Sequence, residues 1–288
     1  MISNELKHSI GLTGIQNARE LGGYVSADGR RVRGGVFLRT AKLSPGTEED
    51  FKRLRETYRL AKIFDLRADE EINGSPELAV FSGSSKADPD PEIEGTEYFH
   101  LPVIDLKAVK QQAMQRMPEH SGGHDLIQLL DMSIKAGFIS DKLYFGFLDG
   151  ELGRKSYSRL FREIITLKEG GSVLFHCTQG KDRTGVAAML ILSALDVPEE
   201  TVVEDYMLTN EFNRERIAKE RAMLEMSGRI PPEKIDTFLM AMDRVSETTM
   251  TNVIAHLKES YGSVKSYIVS RLGVSGEELE GLKDRFLV

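Results

Sequence analysis

The chain has 288 residues, of which 40% are hydrophobic, and a formal net charge of −7. This length and apolar content suffice for one large α/β domain or two smaller ones. The acidic balance argues against broad nucleic-acid binding, which needs a field of Lys and Arg. A single cysteine excludes an internal disulfide and a multi-cysteine metal centre, and it fits a reducing compartment.

Targeting signals are absent from the sequence as it stands. Residues 1–10 hold no apolar run of signal-peptide length, and no stretch approaches the roughly 18 apolar residues of a membrane span. We therefore expect a cytoplasmic protein without an integral membrane segment. Secretion by a route that needs no recognisable signal peptide stays open, as does a leader trimmed from the chain.

Four short apolar runs predict the strands of a sheet in the first two-thirds of the chain. They are Val36–Arg39, Ala61–Asp65, Glu97–Leu101 and Ser172–His176. A helix that starts near Thr47, where Thr47 and Asp50 have capping-box spacing, separates the first two runs and gives a βαβ-like unit. These elements predict an α/β fold with about four strands in a mostly parallel sheet flanked by helices.

The rest of the chain is predicted to be helical or loop. The Pro- and acid-rich segment Ala87–Gly95 reads as a solvated loop. Residues 106–169 are predicted as a helical insertion with an amphipathic helix at 125–138, and residues 198–288 as a helical cap and C-terminal region. The helices predicted there are Glu199–Asn210, Glu215–Met226, Pro232–Met242, Asn252–Ser260 and Ser275–Leu287. Because no linker divides the chain, we predict a single domain over residues 1–288.

The run His176-Cys-Thr-Gln-Gly-Lys-Asp-Arg-Thr-Gly185 follows the last predicted strand and precedes an apolar helix. Unpaired N–H groups at a helix N-terminus, with a turn at Gly180, form an anion site that favours a thiolate. Cys177 is therefore the candidate nucleophile, and Arg183 supplies a planar fork for two phosphate oxygens. The phosphate-binding candidates are Thr178, Gln179, Gly180, Lys181, Thr184 and Gly185.

Three residues of this loop are given more specific roles. Thr184 is placed to donate its hydroxyl to the Cys177 sulfur, and His176 is expected to hydrogen-bond the loop backbone. Lys181 suits a substrate with more than one phosphate, as in an inositol lipid headgroup, and a solvated lysine is the alternative. A buried cysteine with an arginine six residues later is weak evidence by itself, since such a thiol is usually packing. The whole run between a strand and a helix is far more specific.

The loop resembles that of bacterial atypical tyrosine phosphatases of the mycobacterial protein tyrosine phosphatase B type, within the Cys-x5-Arg superfamily. Asn17–Gly23, Phe64–Arg67 with the two glutamates that follow it, and Asp205–Asn210 resemble further elements of that family. Glu20 stands where the family usually has Asp. The resemblance covers residues 12–212.

What the resemblance implies is a four-stranded parallel sheet and metal-free hydrolysis of phosphomonoesters through a phosphocysteine. It also implies inorganic phosphate as product, and substrates among phosphotyrosine, phosphoserine or phosphothreonine proteins and phosphoinositides. Helices between Asn213 and Ser246 would form a lid, with a break at Gly228–Pro232, and a static cap is the alternative. No cofactor and no metal are expected.

The general acid is open between two aspartates. The resemblance assigns the role to Asp182, inside the loop, and a carboxylic acid next to the leaving oxygen is the usual donor. Asp105, at the end of the run Leu101–Asp105, is the other candidate, and it could equally be a helix N-cap. Arg19 and Arg67 line the same pocket or pair with surface acids.

Two other functions are left open. One is a catalytically weak phosphate-binding module of the same fold. The other, disfavoured, is sulfur transfer or arsenate reduction, since a reductase normally needs a second cysteine. His120 and His124 are separated by a Gly-Gly pair that would disrupt a metal-binding helical face, so they are predicted to be loop residues.

Overall fold

A computed structural model of the protein describes residues 6–75, 85–108, 140–228 and 230–288. In these parts of the chain, five strands form one sheet with the order β1-β2-β5-β3-β4. The strands are β1 Arg19–Glu20, β2 Phe37–Thr40, β3 Leu60–Asp65, β4 Glu97–His100 and β5 Ser172–His176. All neighbouring pairs are parallel except β1 and β2, which are antiparallel.

The predicted α/β fold with a mostly parallel sheet is confirmed, and the strand count was too low by one. The additional strand, β1, is two residues long and adds to the outer edge of β2, where Arg19 faces Arg39. A strand of two residues shows no alternation of apolar and polar side chains, so periodicity has nothing to detect.

The central strand β5 places its carboxyl end beside those of its two neighbours. His176 lies opposite Thr40 on β2 and opposite Asp65 on β3. All five residues of β5 are buried, which accounts for its nearly continuous apolar run. Ligands of such sheets bind outside the carboxyl ends of the strands, and the loop after β5 leaves the sheet at that edge.

In the described parts of the chain, the first two helices are α1 Glu48–Glu56 and α2 Asp69–Asn73, which flank β3. Two helices precede β5: α3 Asp141–Asp149 and α4 Glu151–Ile165. After β5 come α5 Asp182–Ala194, α6 Glu199–Phe212, α7 Arg214–Ser227, α8 Pro232–Met242, α9 Glu247–Tyr261, α10 Val264–Leu272 and α11 Gly276–Phe286.

The capping signals in the sequence are confirmed and one helix was missed. Thr47 with Asp50 caps α1, and Ser275 with Glu278 caps α11. The predicted helix Asn252–Ser260 starts earlier, at Glu247, as α9. Helix α10 has a Ser- and β-branched-rich sequence of low helix propensity, and burial of its apolar side chains against the core overrides that preference.

Helix α5 is the centre of the core. Its residues from Thr184 to Leu192 are all buried, and it contacts β2 and β5 on one side and α3, α6, α10 and α11 on others. A helix that is apolar all round is one that other elements enclose. The loop before α5 therefore connects two buried elements, β5 and α5.

Helices α7 and α8 have an apolar cluster of their own. It consists of Leu224, Ile230, Ile235, Phe238 and Leu239. The predicted break lies between these helices, because α7 ends at Ser227, Gly228 has φ +61°, and α8 begins at Pro232. Among the helices of the described ranges, none combines the length and hydropathy that crossing a membrane would take.

The acid-rich segment after residue 85 is not simply a solvated loop. Asp90 has a side chain only 2% exposed, which pairs with Arg67 and accepts hydrogen bonds from the backbone N–H groups of Leu43 and Ser44. Ile93 is also buried. Composition predicted the loop, and it could not show that one of its acids neutralises a buried arginine. The amphipathic helix predicted at 125–138 and the pair His120 and His124 lie outside the described residues.

Candidate active site

The ten-residue loop lies at the carboxyl end of β5 and leads directly into α5. Gly180 in the loop has φ +66°, and a Cβ at this position would lie 2.3 Å from the backbone oxygen of Thr40. Only glycine combines this left-handed backbone with so close an approach to the end of β2. The turn predicted at Gly180 is therefore required by the contact with the neighbouring strand.

Donors from outside the loop hold its carbonyl groups. The side-chain amide of Asn17 donates to the carbonyl oxygens of Gln179 and Gly180, at 3.1 and 2.9 Å. Arg39 donates from Nη2 to the same Gly180 oxygen at 2.9 Å. Because the carbonyl groups are bound by the surrounding scaffold, the opposite sides of these peptide units, which carry the N–H groups, face away from it.

The loop N–H groups are free donors. Within the described parts of the chain, no backbone N–H from Thr178 to Thr184 donates a hydrogen bond to another residue, whereas that of Gly185 donates to the Lys181 oxygen at 2.8 Å. Successive free N–H groups at a helix N-terminus form a concave anion site, and the helix dipole adds to its positive potential. The loop thus has the donors that a phosphate needs.

Cys177 is the second residue of this loop and is 2% exposed. Such burial is compatible with a thiol that only packs in the core and with a nucleophile shielded from bulk water. The free N–H groups next to Cys177 favour the nucleophile. The hydroxyl of Thr184 is fully buried and has no hydrogen-bond partner among the described residues. Its donation to the sulfur stays a prediction that would also give this buried oxygen a partner.

Arg183 forms a two-point ion pair with Glu71, at the start of α2. One terminal nitrogen donates to each carboxylate oxygen, the Nη2–Oε1 distance being 2.8 Å, and the Nη1–Oε2 contact is still closer. A guanidinium has five N–H donors, so two are taken by Glu71 and one more reaches the Leu66 carbonyl at 3.5 Å. The remaining donors are available to an anion in the loop.

Glu71 is held as a carboxylate. Besides Arg183, the Thr178 hydroxyl and the Ala68 backbone N–H donate to it, the latter at 2.8 Å. Burial alone would raise the pKa of Glu71, but the charge of Arg183 and these hydrogen bonds outweigh it and hold the pKa below its usual value. Glu71 therefore orients Arg183 throughout the neutral range.

Asp182 is the first residue of α5, and two donors reach the same oxygen of its carboxylate. Tyr144 on α3 donates its hydroxyl to Oδ1, and the Lys181 ammonium lies 3.0 Å from Oδ1. The Lys181 side chain is 8% exposed. The interpretation of Lys181 as a solvated lysine is therefore wrong, and its charge is already paired with Asp182.

Asp105 has the contacts of a helix cap. Its side chain is exposed, and Oδ1 accepts a hydrogen bond from the backbone N–H of Ala108 at 3.0 Å, within a helical turn at 106–108. This is the bond that an N-cap aspartate makes. Among its described interactions, none involves the phosphate loop.

Arg19 pairs with a buried acid and not with a surface one. It is fully buried and donates to Asp205, with Nε 3.3 Å from Oδ1, and it also contacts the Asn17 side chain that holds the loop. Burial and the neighbouring Arg39 lower the pKa of Arg19 to about 10. Asp205 pairs with Arg39 as well, at 2.5 Å. Arg19 thus acts on the loop in two ways. It contacts Asn17, and it shares the Asp205 carboxylate with Arg39, which itself donates to the loop.

His176 and Arg67 belong to a second buried network, behind the loop. The imidazole of His176 lies 3.2 Å from Asp90 Oδ2 and 3.9 Å from Asp65 Oδ1, and neither ring nitrogen makes a hydrogen bond of good geometry in the described structure. The prediction that His176 bonds the loop backbone is therefore wrong for its side chain. Arg67 pairs with both carboxylates at 2.6 Å, so it too pairs with buried rather than surface acids.

Comparison with known proteins agrees with this geometry. The sequence model of the tyrosine phosphatase family matches residues 10–288. The chain belongs to the tyrosine phosphatase family. A tyrosine-protein phosphatase from Nostoc commune is 31% identical over 252 residues, which are 87% of this chain and 74% of that protein.

Two further relatives have the same kind of name. A Cupriavidus necator protein, provisionally named a tyrosine-protein phosphatase, is 28% identical over 277 residues. The match covers 96% of this chain and 88% of that protein. The triple specificity protein phosphatase PtpB of Mycobacterium tuberculosis is 24% identical over 277 residues, or 89% of this chain and 91% of its own. The resemblance inferred from the loop is confirmed, and the chain is a tyrosine phosphatase.

One group of side chains in this phosphatase has the donor types of a metal site. Asp65, Asp90 and His176 bring one ligand atom each within 4.8 Å of one another, in the parts of the chain that are described. The guanidinium of Arg67 already pairs with both carboxylates, and a divalent cation between them would face its positive charge. The donor set fits a buried ion-pair network better than a metal centre.

Sequence reasoning missed several residues that shape the phosphatase site. Arg39 was read only as the end of a strand, although a charged residue in a buried strand is itself a signal of a buried partner. Tyr144 gave no signal, since its role depends on a contact between α3 and Asp182 of α5. Tyr206 was noted only as part of the segment Asp205–Asn210 that resembles the family. Glu71 was noted for its resemblance alone, and its pairing with Arg183 needed the fold.

Proposed function

We propose that this tyrosine phosphatase hydrolyses phosphomonoesters through a phosphocysteine on Cys177. The observation that carries the proposal is the loop in which carbonyl groups are bound by Asn17 and Arg39 while the N–H groups stay free. Donors fixed around the equatorial oxygens stabilise the charge that spreads over them during phosphoryl transfer. The loop meets that requirement without any rearrangement of its carbonyl groups.

In the first step the Cys177 thiolate attacks phosphorus, the S–P bond forms and the bond to the leaving oxygen breaks. Arg183 and the loop N–H groups bind the phosphoryl oxygens, and Asp182 gives a proton to the leaving oxygen. In the second step water attacks phosphorus, its proton passes to Asp182, and the sulfur departs. The Thr184 hydroxyl would stabilise the departing thiolate, and inorganic phosphate is released.

Asp182 is the proposed acid because it belongs to the loop, whereas Asp105 caps a helical turn. Asp182→Asn keeps the shape of the side chain and removes the transferable proton. We expect kcat for phenyl phosphate to fall on the order of a hundredfold and kcat for p-nitrophenyl phosphate to fall much less, because a good leaving group needs little protonation. Steady-state rates with both substrates measure this difference.

The matched control is Asp105→Asn, since asparagine is also a good N-cap. It should leave the ratio of the two rates as in the wild type. Equal slowing of both substrates by Asp182→Asn would assign that residue a structural role. A selective loss with Asp105→Asn would instead make Asp105 the acid.

The proposed substrates are phosphotyrosine proteins first, with phosphoserine or phosphothreonine proteins and phosphoinositides as further substrates. The name of the mycobacterial relative, a triple specificity protein phosphatase, supports this breadth. Lys181 is not proposed as the site for a second phosphate, because its ammonium pairs with Asp182. We also propose that hydrolysis needs no metal, that the whole chain is one phosphatase domain, and that it works in the cytoplasm, where a lone reactive cysteine stays reduced.

A substrate panel tests this breadth. Wild type and Lys181→Ala are compared on a phosphotyrosine peptide, a phosphoserine peptide and vesicles that contain a phosphoinositide, each with and without EDTA. We expect EDTA to leave all rates unchanged, and Lys181→Ala to slow the three classes by similar factors, because the ammonium acts through Asp182. A loss confined to the phosphoinositide would show that Lys181 binds a second phosphate. A loss with EDTA would show that a metal takes part.

A further inference from the structure

Three hydroxyl and carboxylate groups from three helices form one hydrogen-bonded chain beside the loop. Tyr206 on α6 and Tyr144 on α3 have their hydroxyl oxygens 2.7 Å apart, and Tyr144 donates to Asp182 Oδ1 on α5. A phenol hydroxyl has one proton, and Tyr144 donates it to Asp182. In the hydrogen bond between the two tyrosines, Tyr144 must therefore be the acceptor and Tyr206 the donor. The direction of the chain is therefore Tyr206 to Tyr144 to Asp182.

The position of Tyr206 explains the last residue of the loop. A Cβ at Gly185 would lie 2.9 Å from two ring carbons of Tyr206, so the ring packs directly against the glycine backbone. Tyr206 is 1% exposed and Tyr144 7% exposed. Because Gly185 has no side chain, the Tyr206 ring fits against it. This packing fixes the position of the Tyr206 hydroxyl, which in turn orients the Tyr144 hydroxyl.

The two donors to Asp182 leave one carboxylate oxygen for chemistry. Tyr144 and Lys181 both bind Oδ1, while Oδ2 has no hydrogen-bond donor among the described residues. We propose that Tyr144 is a positioning residue that holds Oδ1 and thereby presents Oδ2 as the oxygen that carries the proton to the leaving group. This inference rests on the proposed role of Asp182.

The hydrogen bond from Tyr144 to Asp182 becomes stronger as Asp182 gives its proton to the leaving group. As the leaving oxygen takes the proton from Oδ2, Asp182 becomes a carboxylate, and a hydrogen bond to an ionised acceptor is stronger than one to a neutral acid. Tyr144 keeps its own proton. Burial first, and then the charge of Asp182, raise the pKa of Tyr144 well above its usual value, so it remains a neutral donor at any working pH.

The groups around Asp182 set the pH response. Lys181 faces it from the loop, Tyr144 from α3, Tyr206 acts through Tyr144, and the Arg183 charge and the Cys177 thiol lie close by in the same loop. Losing the Tyr144 donor removes a hydrogen bond that stabilises the Asp182 carboxylate more than the protonated acid. We therefore expect the alkaline limb of the rate profile to move to higher pH in the variant.

The test compares Tyr144→Phe with Asp182→Asn and the double variant on phenyl and p-nitrophenyl phosphate. For Tyr144→Phe we expect kcat with phenyl phosphate to fall about tenfold, equal to about 1.4 kcal/mol. The rate with p-nitrophenyl phosphate should change little, and the alkaline limb with phenyl phosphate should move to higher pH. The double variant should be no slower than Asp182→Asn, because Tyr144 acts through that residue.

The control is Tyr267→Phe. Tyr267 is a fully buried tyrosine on α10 whose hydroxyl donates to the Leu148 oxygen of α3 at 2.7 Å, so its removal loosens the same helix without touching Asp182. It should lower thermal stability and leave the ratio of the two rates unchanged. If Tyr144→Phe does not fold, Tyr206→Phe decides, with a smaller change of the same kind expected.

Three outcomes would overturn the proposal: equal slowing of both substrates by Tyr144→Phe, a fixed alkaline limb, or additive losses in the double variant. These three outcomes can be distinguished from a failure of the proposed role of Asp182. In that case Asp182→Asn itself would show no dependence on the leaving group, whatever Tyr144→Phe does.

Discussion

Cys177→Ser is expected to abolish turnover of aryl phosphates and phosphotyrosine peptides, with kcat reduced by at least about a thousandfold. A serine hydroxyl is almost entirely protonated at neutral pH and, unlike a thiolate, is not a nucleophile without a base to activate it. Among the described residues, no loop contact suggests such a base, since the His176 ring lies next to Asp65 and Asp90. Steady-state rates with p-nitrophenyl phosphate measure the loss.

Binding should survive this substitution. The proposed donors to phosphate are backbone N–H groups and Arg183, and a change of sulfur to oxygen removes none of them. Cys177→Ser should therefore hold a phosphotyrosine peptide with an affinity within about an order of magnitude of the wild-type KM, and its thermal unfolding should stay close to that of the wild type. Near-normal turnover by the variant would disprove the assignment of the nucleophile.

Mass spectrometry of acid-quenched enzyme provides an independent check of the same prediction. Wild-type enzyme mixed with substrate should carry one phosphoryl group on the peptide that contains Cys177, and the serine variant should carry none. A phosphoryl group on any other residue would contradict the mechanism even if the variant were inactive. A persulfide on Cys177 would favour sulfur transfer.

The sequence predicted the parts of the site that lie close together along the chain. The loop from His176 to Gly185 needs only a strand, a turn and a helix in succession. Its geometry could therefore be predicted from neighbouring residues alone. The four longer strands were also found, because buried strands show continuous apolar runs. Local order is what a single sequence records best.

The parts that failed depend on which elements meet across the sheet. His176 was given to the loop because it precedes Cys177, but side chains alternate along a strand, and its ring faces the acids of β3 and of the loop near Asp90. Arg19, Arg39 and Asp205 are distant in sequence and form one buried cluster. No periodicity signals a pairing over such separations.

These buried charges have a shared function in the architecture of the site. Arg19 and Arg39 both pair with Asp205, and each also supports the loop: Arg39 donates to the Gly180 carbonyl, and Arg19 donates to Asn17. Arg183, within the loop, pairs with Glu71. Ion pairs of this kind add little net stability after their desolvation cost, and removing one partner is expensive. Their geometry, rather than their energy, accounts for their place around the loop.

Arg183→Lys is the second substitution with a large expected effect, because it keeps the charge and removes the fork. Lysine cannot donate to Glu71 and to two phosphoryl oxygens in one plane. We expect kcat for p-nitrophenyl phosphate to fall by about a hundredfold to a thousandfold, the range seen when one fixed donor to a developing oxyanion is lost. The inhibition constant of inorganic phosphate should rise as well.

The control for this change is Arg162→Lys. Arg162 joins α4 to α11 through Glu278 and is 43% exposed, so the same exchange there alters an ion pair remote from the loop and should leave kcat unchanged. The split between kcat and KM then decides the role of Arg183. A higher KM with unchanged kcat would mean that the fork binds substrate and transition state equally. A fall in kcat means that its donors act where the charge develops, which is what Glu71 is placed to ensure by fixing the guanidinium before substrate arrives.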